Sequence, residues 1–330
     1  MKFESFKGNL RVKEQLEILI ESNRFPHALI IEGEEGLGKK TLAKEIALSL
    51  MCISNEERPC KSCAQCSKVL KGIHPDICEY GPDESKKTRP FTVDTVREII
   101  NDAAIQPNES QYKIYFLYEC ERMNASAQNA LLKLIEEPPS YAIFILCTET
   151  KSALLETVLS RSVAISLEGV NPSEGAQFIC ERDEKISFDD AYRALSVWNG
   201  NIGKAIASLG DSKLATISKN ANDIALAVID DKEYSLIKAC SVFERDNLGM
   251  ISALSYLKMI FRDALLFENG ANMLSNQKET ARKLASSLTK SKLLKLCEVC
   301  DKISALAAGN GNNALLITKL CYELRRAQGR

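Results

Sequence analysis

Two groups of residues have the types and spacing for chemistry. Gly33, Gly36, Gly38 and Lys39 follow the pattern G-x-x-x-x-G-K-[S/T]. In that pattern backbone N–H groups cradle phosphates, the lysine reaches the β- and γ-phosphates, and the hydroxyl holds Mg²⁺. Here Lys40 stands where the hydroxyl belongs, and Thr41 follows one place later. The second group is Cys52, Cys60, Cys63 and Cys66, in a polar stretch that includes Glu56, Glu57, Arg58, Lys61 and Ser62. That composition is not a core stripe. Four thiolates suit a closed, tetrahedral, structural zinc site. An iron–sulfur cluster also uses four cysteines, but nothing else in the chain suggests electron transfer. His74 is close in sequence, though His74-Pro75-Asp76 also reads as an ordinary turn.

The elements around the loop decide whether it can bind phosphate. Ala28 to Ile31 is a short apolar run, as expected of a buried parallel strand. After the glycines, Thr41 to Met51 repeats apolar residues at helical spacing (Leu42, Ala43, Ile46, Ala47, Leu50, Met51). Strand, glycine loop and helix form the context that a phosphate-binding loop requires; the alternative is a glycine turn in an unrelated α/β unit. Leu10 to Ile20 reads as a helix capped by Asn9. Further strands are expected at Asp76–Tyr80, Lys113–Tyr118, Ala142–Thr148 and Val163–Leu167. Helices are expected at Thr92–Ala104, at Asn124–Glu137 with Pro138-Pro139 as its stop, and at Ser152–Ser160. The alternation predicts a parallel five-stranded sheet between helical layers.

After Leu167 the character changes. Gly169 to Pro172 is a breaker cluster, and no strand pattern follows it. Helices are expected at Ser173–Asp183, Ser187–Trp198 and Asn201–Leu209. A second boundary is expected at Gly210-Asp211, followed by longer helices with a loop at Gly309 to Asn313. The layout is α/β followed by all-α. Eight of the 12 cysteines (Cys78, Cys120, Cys147, Cys180, Cys240, Cys297, Cys300, Cys321) lie among apolar residues and read as core thiols. Cys297 and Cys300 form a C-x-x-C, but on a helical pattern.

Bulk properties narrow the function. The chain has 330 residues, with 43 basic and 44 acidic side chains. A generally cationic surface is therefore excluded, and contact with nucleic acid would need a local patch. The N-terminus lacks an apolar signal segment. No apolar run approaches the roughly 18 residues of a membrane span. The expectation is a soluble cytoplasmic protein with no membrane contact.

Beyond the third expected strand stands Asn129-Ala-Leu-Leu-Lys, followed by Glu136-Glu137-Pro138-Pro139. This run resembles the bacterial DNA polymerase III clamp-loader ATPases of the AAA+ class. So do His27-Ala28, the four-cysteine insertion after the loop helix, and His74-Pro75-Asp76. The resemblance spans the chain, although towards Asn312-Asn313-Ala-Leu-Leu it is architectural. It implies an AAA+ domain over 1–168 with the zinc insertion, a small helical lid over 169–210, and a helical collar over 211–330 that assembles with other subunits. It also implies a nucleotide site, for ATP or ADP, at Gly33, Gly36, Gly38, Lys39, Lys40, Thr41, Glu119 and Thr148.

That site departs from the family at both metal positions. Alignment on Asn129 puts Tyr118 at the Walker B aspartate and Glu119 at the following glutamate. Alignment on Lys39 puts Lys40 at the metal-binding threonine. An ammonium 4 Å from one unit of positive charge is repelled by about 4 kcal/mol at an effective dielectric of 20, and Mg²⁺ carries two such units. Lys40 can swing to solvent and Thr41 can substitute, so this is an upper estimate. Gly200 to Lys204 has no arginine at the second sensor position. Ser160-Arg161-Ser162 resembles the family's Ser-Arg-Cys, in which the arginine reaches the ATP of the next subunit; on spacing alone, Arg161 is a surface arginine at a helix end.

The resemblance therefore implies a non-hydrolysing stator in a five-subunit assembly with gamma/tau and delta subunits. Through that assembly it would act on the sliding clamp and on primer–template DNA, with Arg161 as its one catalytic contribution. Two alternatives are an active gamma/tau-like ATPase, opposed by Lys40 and Tyr118, and a stand-alone zinc-dependent DNA-binding protein, disfavoured by the near-neutral charge.

Overall fold

Five short apolar runs form the sheet: β1 (Ala28–Glu32), β2 (Ile77–Tyr80), β3 (Lys113–Leu117), β4 (Ala142–Thr148) and β5 (Val163–Ser166). In this computed structural model they pair in parallel in the order β2-β3-β4-β1-β5. The residues described are 3–54, 58–81, 91–209, 213–267, 273–308 and 312–329. The expected boundary at Gly210-Asp211, the glutamates Glu56 and Glu57, and most of the 309–313 loop lie outside them. The chain divides into two compact units, residues 1–170 and 171–330.

Period-two alternation gives the sheet two cores, as a parallel sheet covered on both faces requires. Leu29 and Ile31 of β1 join Phe116, Ile145 and the helix α2 (Lys39–Met51) through Leu42 and Ile46. Ala28 and Ile30 face the other way. They join Tyr115, Phe144 and the helices α4 (Val93–Ala103) and α5 (Ala125–Glu136) through Ile99 and Leu131. Because the strands are parallel, their carboxyl ends share one edge. The glycine loop after β1, Tyr118 after β3 and Glu149 after β4 all emerge there, the usual place for a ligand crevice in an open α/β sheet.

Two local expectations are corrected, and one helix is added. Helix α1 (Leu10–Glu21) forms, but Asn9 does not cap it with its side chain. Asn9 is left-handed at φ 52°. Its amide instead bonds both the carbonyl and the N–H of Glu168, each at 2.9 Å, tying the start of the first unit to its end. The expected helix over Ser152–Ser160 is broken into a 3₁₀ turn (Lys151–Ala153) and the single turn α6 (Glu156–Leu159). Leu154 and Leu155 are extended between them. The side chain of buried Gln128 takes up the freed backbone groups: it donates to Ala153 O at 3.1 Å and accepts from Leu155 N at 2.7 Å. Finally, a helix α3 (Ala64–Lys71) that no pattern announced follows the cysteine turn, with Cys63 as its N-cap.

Among the described residues, the regular structure of the second unit is all helical. It comprises α7 (Pro172–Arg182), α8 (Phe188–Val197), α9 (Ile202–Leu209), α10 (Lys213–Ile229), α11 (Glu233–Cys240), α12 (Asn247–Leu266), α13 (Lys278–Ser287), α14 (Lys290–Ala308) and α15 (Asn313–Gln328). Asn171 caps α7, accepting from Ser173 N at 2.9 Å, and Pro172 takes the first helical position, where a missing N–H costs nothing. Leu254, Leu257 and Phe261 of α12 pack with Leu296, Cys300 and Ile303 of α14 at the centre. Helices α11 and α15 run antiparallel: Arg325 donates to the carbonyls of Asp230 and Lys232, and Asn313 donates to Phe243 O at the other end. Among the described residues no helix is long and apolar enough to cross a membrane.

Candidate functional site

Gly36 and Gly38 adopt φ values of 90° and 88°, which side-chain-bearing residues rarely reach. Gly38 is also the N-cap of α2, and a Cβ there would meet the Phe6 ring at 3.3 Å. The loop therefore needs glycine for conformation and for space. The Lys39 ammonium folds back onto the loop, donating to Gly33 O and to Glu34 O. A cavity of about 600 Å³ opens over the loop. Its walls are Glu35, Gly36, Gly38, Lys39, Lys40 and Thr41, then Tyr118, Glu119, Glu121 and Arg122, then Cys147 and Glu149.

The two family departures meet inside this cavity. Lys40 Nζ lies 4.8 Å from the centroid of the Tyr118 ring. Such a cation–π contact contributes about 0.5–2 kcal/mol. Burial drives the Tyr118 phenol far above its usual range, with the charge of Glu79 acting in the same direction, so the ring offers no anion to a cation. Glu119 is left-handed at φ 55°, and its carboxylate pairs with Arg122 Nε at 2.9 Å. Cys147 at the floor is pushed up to about 12 by burial, against the pull of Lys39 and Lys40, and is an inert thiol.

Thr148 is fully buried, and its hydroxyl donates to Thr150 O at 2.9 Å. Its carbonyl accepts from Gly33 N at 3.1 Å, which joins β4 to the loop. Thr148 does not line the cavity; its neighbour Glu149 does. Glu121, Arg122, Cys147 and Glu149 were not legible as site residues, because only the register of β4 between β1 and β3 brings them to the loop. In the second unit, Lys204 Nζ lies 5.9 Å from the centroid of the Trp198 ring.

Arg161 is placed elsewhere and is not part of the cavity wall. It follows the turn of α6. Its Nε pairs with Glu136 Oε1 at 2.7 Å, and its Nη1 donates to Thr157 O and Ser160 Oγ at 3.1 Å. The Arg161 and Glu136 side chains are 40% and 45% exposed. An exposed pair of this kind contributes about 0.2–1 kcal/mol, so the guanidinium can leave it readily.

The four-cysteine group is assembled as its spacing implied. The Sγ atoms of Cys52, Cys60, Cys63 and Cys66 all lie within 4.8 Å of one another. A tetrahedral ion with thiolate bonds of about 2.3 Å sets its ligands about 3.8 Å apart, so a small contraction closes the group on one ion. Cysteines that each bind a separate iron stand wider. Backbone N–H groups of Cys60, Cys63 and Cys66 point at the sulfurs of Cys52, Cys60 and Cys63, each at 3.4 Å. N–H donors from Ser62 and Cys63 bring Cys60 down to about 6. Burial opposes ionisation of Cys63, but the N–H groups of Cys66 and Ile53 outweigh it. Burial raises Cys66, with the neighbouring Cys63 thiol acting in the same direction. His74 is outside this group: its Nε2 bonds Gln65 Oε1 and its Nδ1 accepts from Asp76 N.

The sequence profile of the family described as DNA polymerase III, delta subunit, matches residues 8–171. Subunit delta′ of DNA polymerase III from Escherichia coli (strain K12) is 28% identical over 94% of this chain and 92% of its own length. Subunit delta′ from Bacillus subtilis (strain 168) is 30% identical over 59% of this chain. Subunit gamma from Buchnera aphidicola subsp. Schizaphis graminum is 30% identical over 71% of this chain. The matches span 57% of the Bacillus protein and 65% of the Buchnera protein. The chain belongs to the bacterial clamp-loader family of DNA polymerase III subunits, as a delta-prime-type member.

Proposed function

We propose that this chain is the non-hydrolysing stator of a DNA polymerase III clamp loader. In this reading it assists ATP-driven loading of a sliding clamp on primed DNA, in a pentamer with gamma/tau and delta subunits. The observation that carries the reading is the Lys40–Tyr118 contact. Both positions where the protein would hold a divalent ion are taken, one by a cation and one by an aromatic ring, and the two side chains engage each other. Metal-assisted phosphoryl transfer needs an ion between the β- and γ-phosphates, and this pair disfavours it there. The cavity keeps the shape of a nucleotide site without that part of the chemistry.

Arg161 supplies what the chain contributes to hydrolysis. It lies outside its own cavity and is held by a weak, exposed pair, so its reach is outward, to a γ-phosphate bound by the neighbouring gamma/tau subunit. A planar, permanently charged guanidinium suits that phosphate. The four cysteines hold one structural zinc. Residues 169–210 act as the lid and 211–330 as the collar. The collar reading draws support from large apolar side chains left exposed along α11 and α15: Tyr234, Ile237, Leu315 and Tyr322.

The test is reconstitution of the complex with Arg161→Ala. Assembly is expected to survive, while DNA- and clamp-stimulated ATPase falls about 10³-fold or more at the affected site. Hydrolysis at the wild-type rate would remove the finger assignment. The isolated chain is expected to show no Mg²⁺-dependent ATP turnover; turnover that Lys39→Ala abolishes would sink the stator reading.

A further inference from the structure

Glu45 sits on α2, the helix that the glycine loop opens, and is only 2% exposed. Its Oε1 accepts from Ser5 N at 3.0 Å, and its Oε2 has no hydrogen bond among the described residues. A buried carboxylate in that condition needs a counter-charge. The structure offers one. Lys61 Nζ lies 3.9 Å from Glu45 Oε1 and 2.8 Å from Glu4 Oε2. Lys61 stands between two of the clustered cysteines, Cys60 and Cys63, and the turn they make holds it left-handed at φ 57°. Its aim is therefore set by the geometry of the cysteine group. Ser5 in turn precedes Phe6, whose ring packs on Gly38 of the phosphate loop.

We propose that the four-cysteine module is a positioning device for the phosphate-loop helix: metal occupancy aims Lys61 at buried Glu45, and this pair docks the N-terminal segment, residues 3–9, beneath the loop. The inference rests on the reading of the four cysteines as a metal site. With the ion bound, the Cys60–Cys63 turn is rigid and the ammonium stays beside the carboxylate. Without it, nothing fixes the turn, Glu45 loses its counter-charge, and the Ser5 N–H bond that depends on that carboxylate opens. The Lys61–Glu4 pair is on the surface and adds little.

The experiment is amide hydrogen exchange of the full chain, read at Ser5 and Phe6, with metal content measured on the same samples. Zinc-loaded wild-type protein is expected to protect Ser5, and stripping with a chelator to speed its exchange about tenfold or more, with α10–α15 unaffected. Lys61→Met should keep one metal per chain yet exchange fast at Ser5 with the metal present. Glu45→Gln retains an oxygen for Ser5 N and needs no counter-charge, so its Ser5 exchange should become insensitive to chelation. A wild-type chain that binds no metal overturns the metal reading and this inference together. A chain that binds metal, but whose Ser5 exchange ignores chelation or Lys61→Met, overturns the coupling alone, as does chelator-sensitive exchange in Glu45→Gln.

Discussion

Lys40 and Tyr118 were each legible as departures from a motif, but their contact was not. It depends on β4 lying between β1 and β3, which sets the ends of the loop strand and the third strand at the right separation. Asp76 was likewise legible as part of a turn, as a strand start and in a family-like run, but not as a buried acceptor. In the structure it is fully buried and accepts from the N–H groups of Asn108, Glu109 and Ser110, so it fixes the approach to β3. Burial alone would raise its carboxyl, but the three donors outweigh burial and lower it. A depressed folded value means that the stabilisation is present above the unfolded value of about 3.9 and is lost as pH falls through the folded value. Asp76→Asn, which places an amide NH₂ among N–H donors, is expected to cost about 2–4 kcal/mol at neutral pH. Urea unfolding should find that deficit shrinking below about pH 4, as the wild-type carboxylate also becomes protonated. A deficit that stays constant down to acid pH would show that the carboxylate charge is not what matters.

At the scale of elements, the sequence is most readable where one signal acts alone. β4 runs from Ala142 to Thr148, as its continuous apolar pattern implies, because every residue in it is buried. Helix α5 begins where Asn124 suggests and stops before Pro138-Pro139. The Asn124 side chain accepts from Ala127 N at 2.8 Å, so Asn124→Ala is expected to cost about 1 kcal/mol in urea unfolding. A cost near zero would mean that the cap is redundant with the packing of Leu131 and Ile135. Periodicity misleads where a distant side chain rewrites the backbone. The apolar spacing over Ser152–Ser160 suits a helix, yet buried Gln128 stabilises an extended break at Leu155. The short α3 went unseen because its N-cap is Cys63, a residue whose spacing pointed to metal rather than to a helix start. Here one sulfur both accepts the Cys66 N–H and belongs to the cysteine group.

At the scale of the molecule, the chain divides between Val170 and Asn171, three residues past the composition shift after Leu167. What the shift could not convey is which helical faces stay uncovered, since buried and exposed apolar residues look alike in a list. Ile237 on α11 and Tyr322 on α15 are 51% and 63% exposed on two helices packed against each other. Replacing both with glutamate is expected to leave the folded chain intact and to weaken its assembly with partner subunits about tenfold or more. Size-exclusion profiles of the reconstituted complex would show this, and unchanged assembly would move the interface elsewhere.

The Arg161–Glu136 pair has one more consequence at this scale. An arginine already neutralised by a carboxylate does not gain a partner when it meets a phosphate; it exchanges one. The exchange costs little, because an exposed pair of this kind contributes about 0.2–1 kcal/mol. On the proposed reading, Glu136 parks the guanidinium at the surface until a neighbour's phosphate takes it over. Glu136→Gln should therefore leave the stimulated ATPase of the reconstituted complex within about fivefold of wild type.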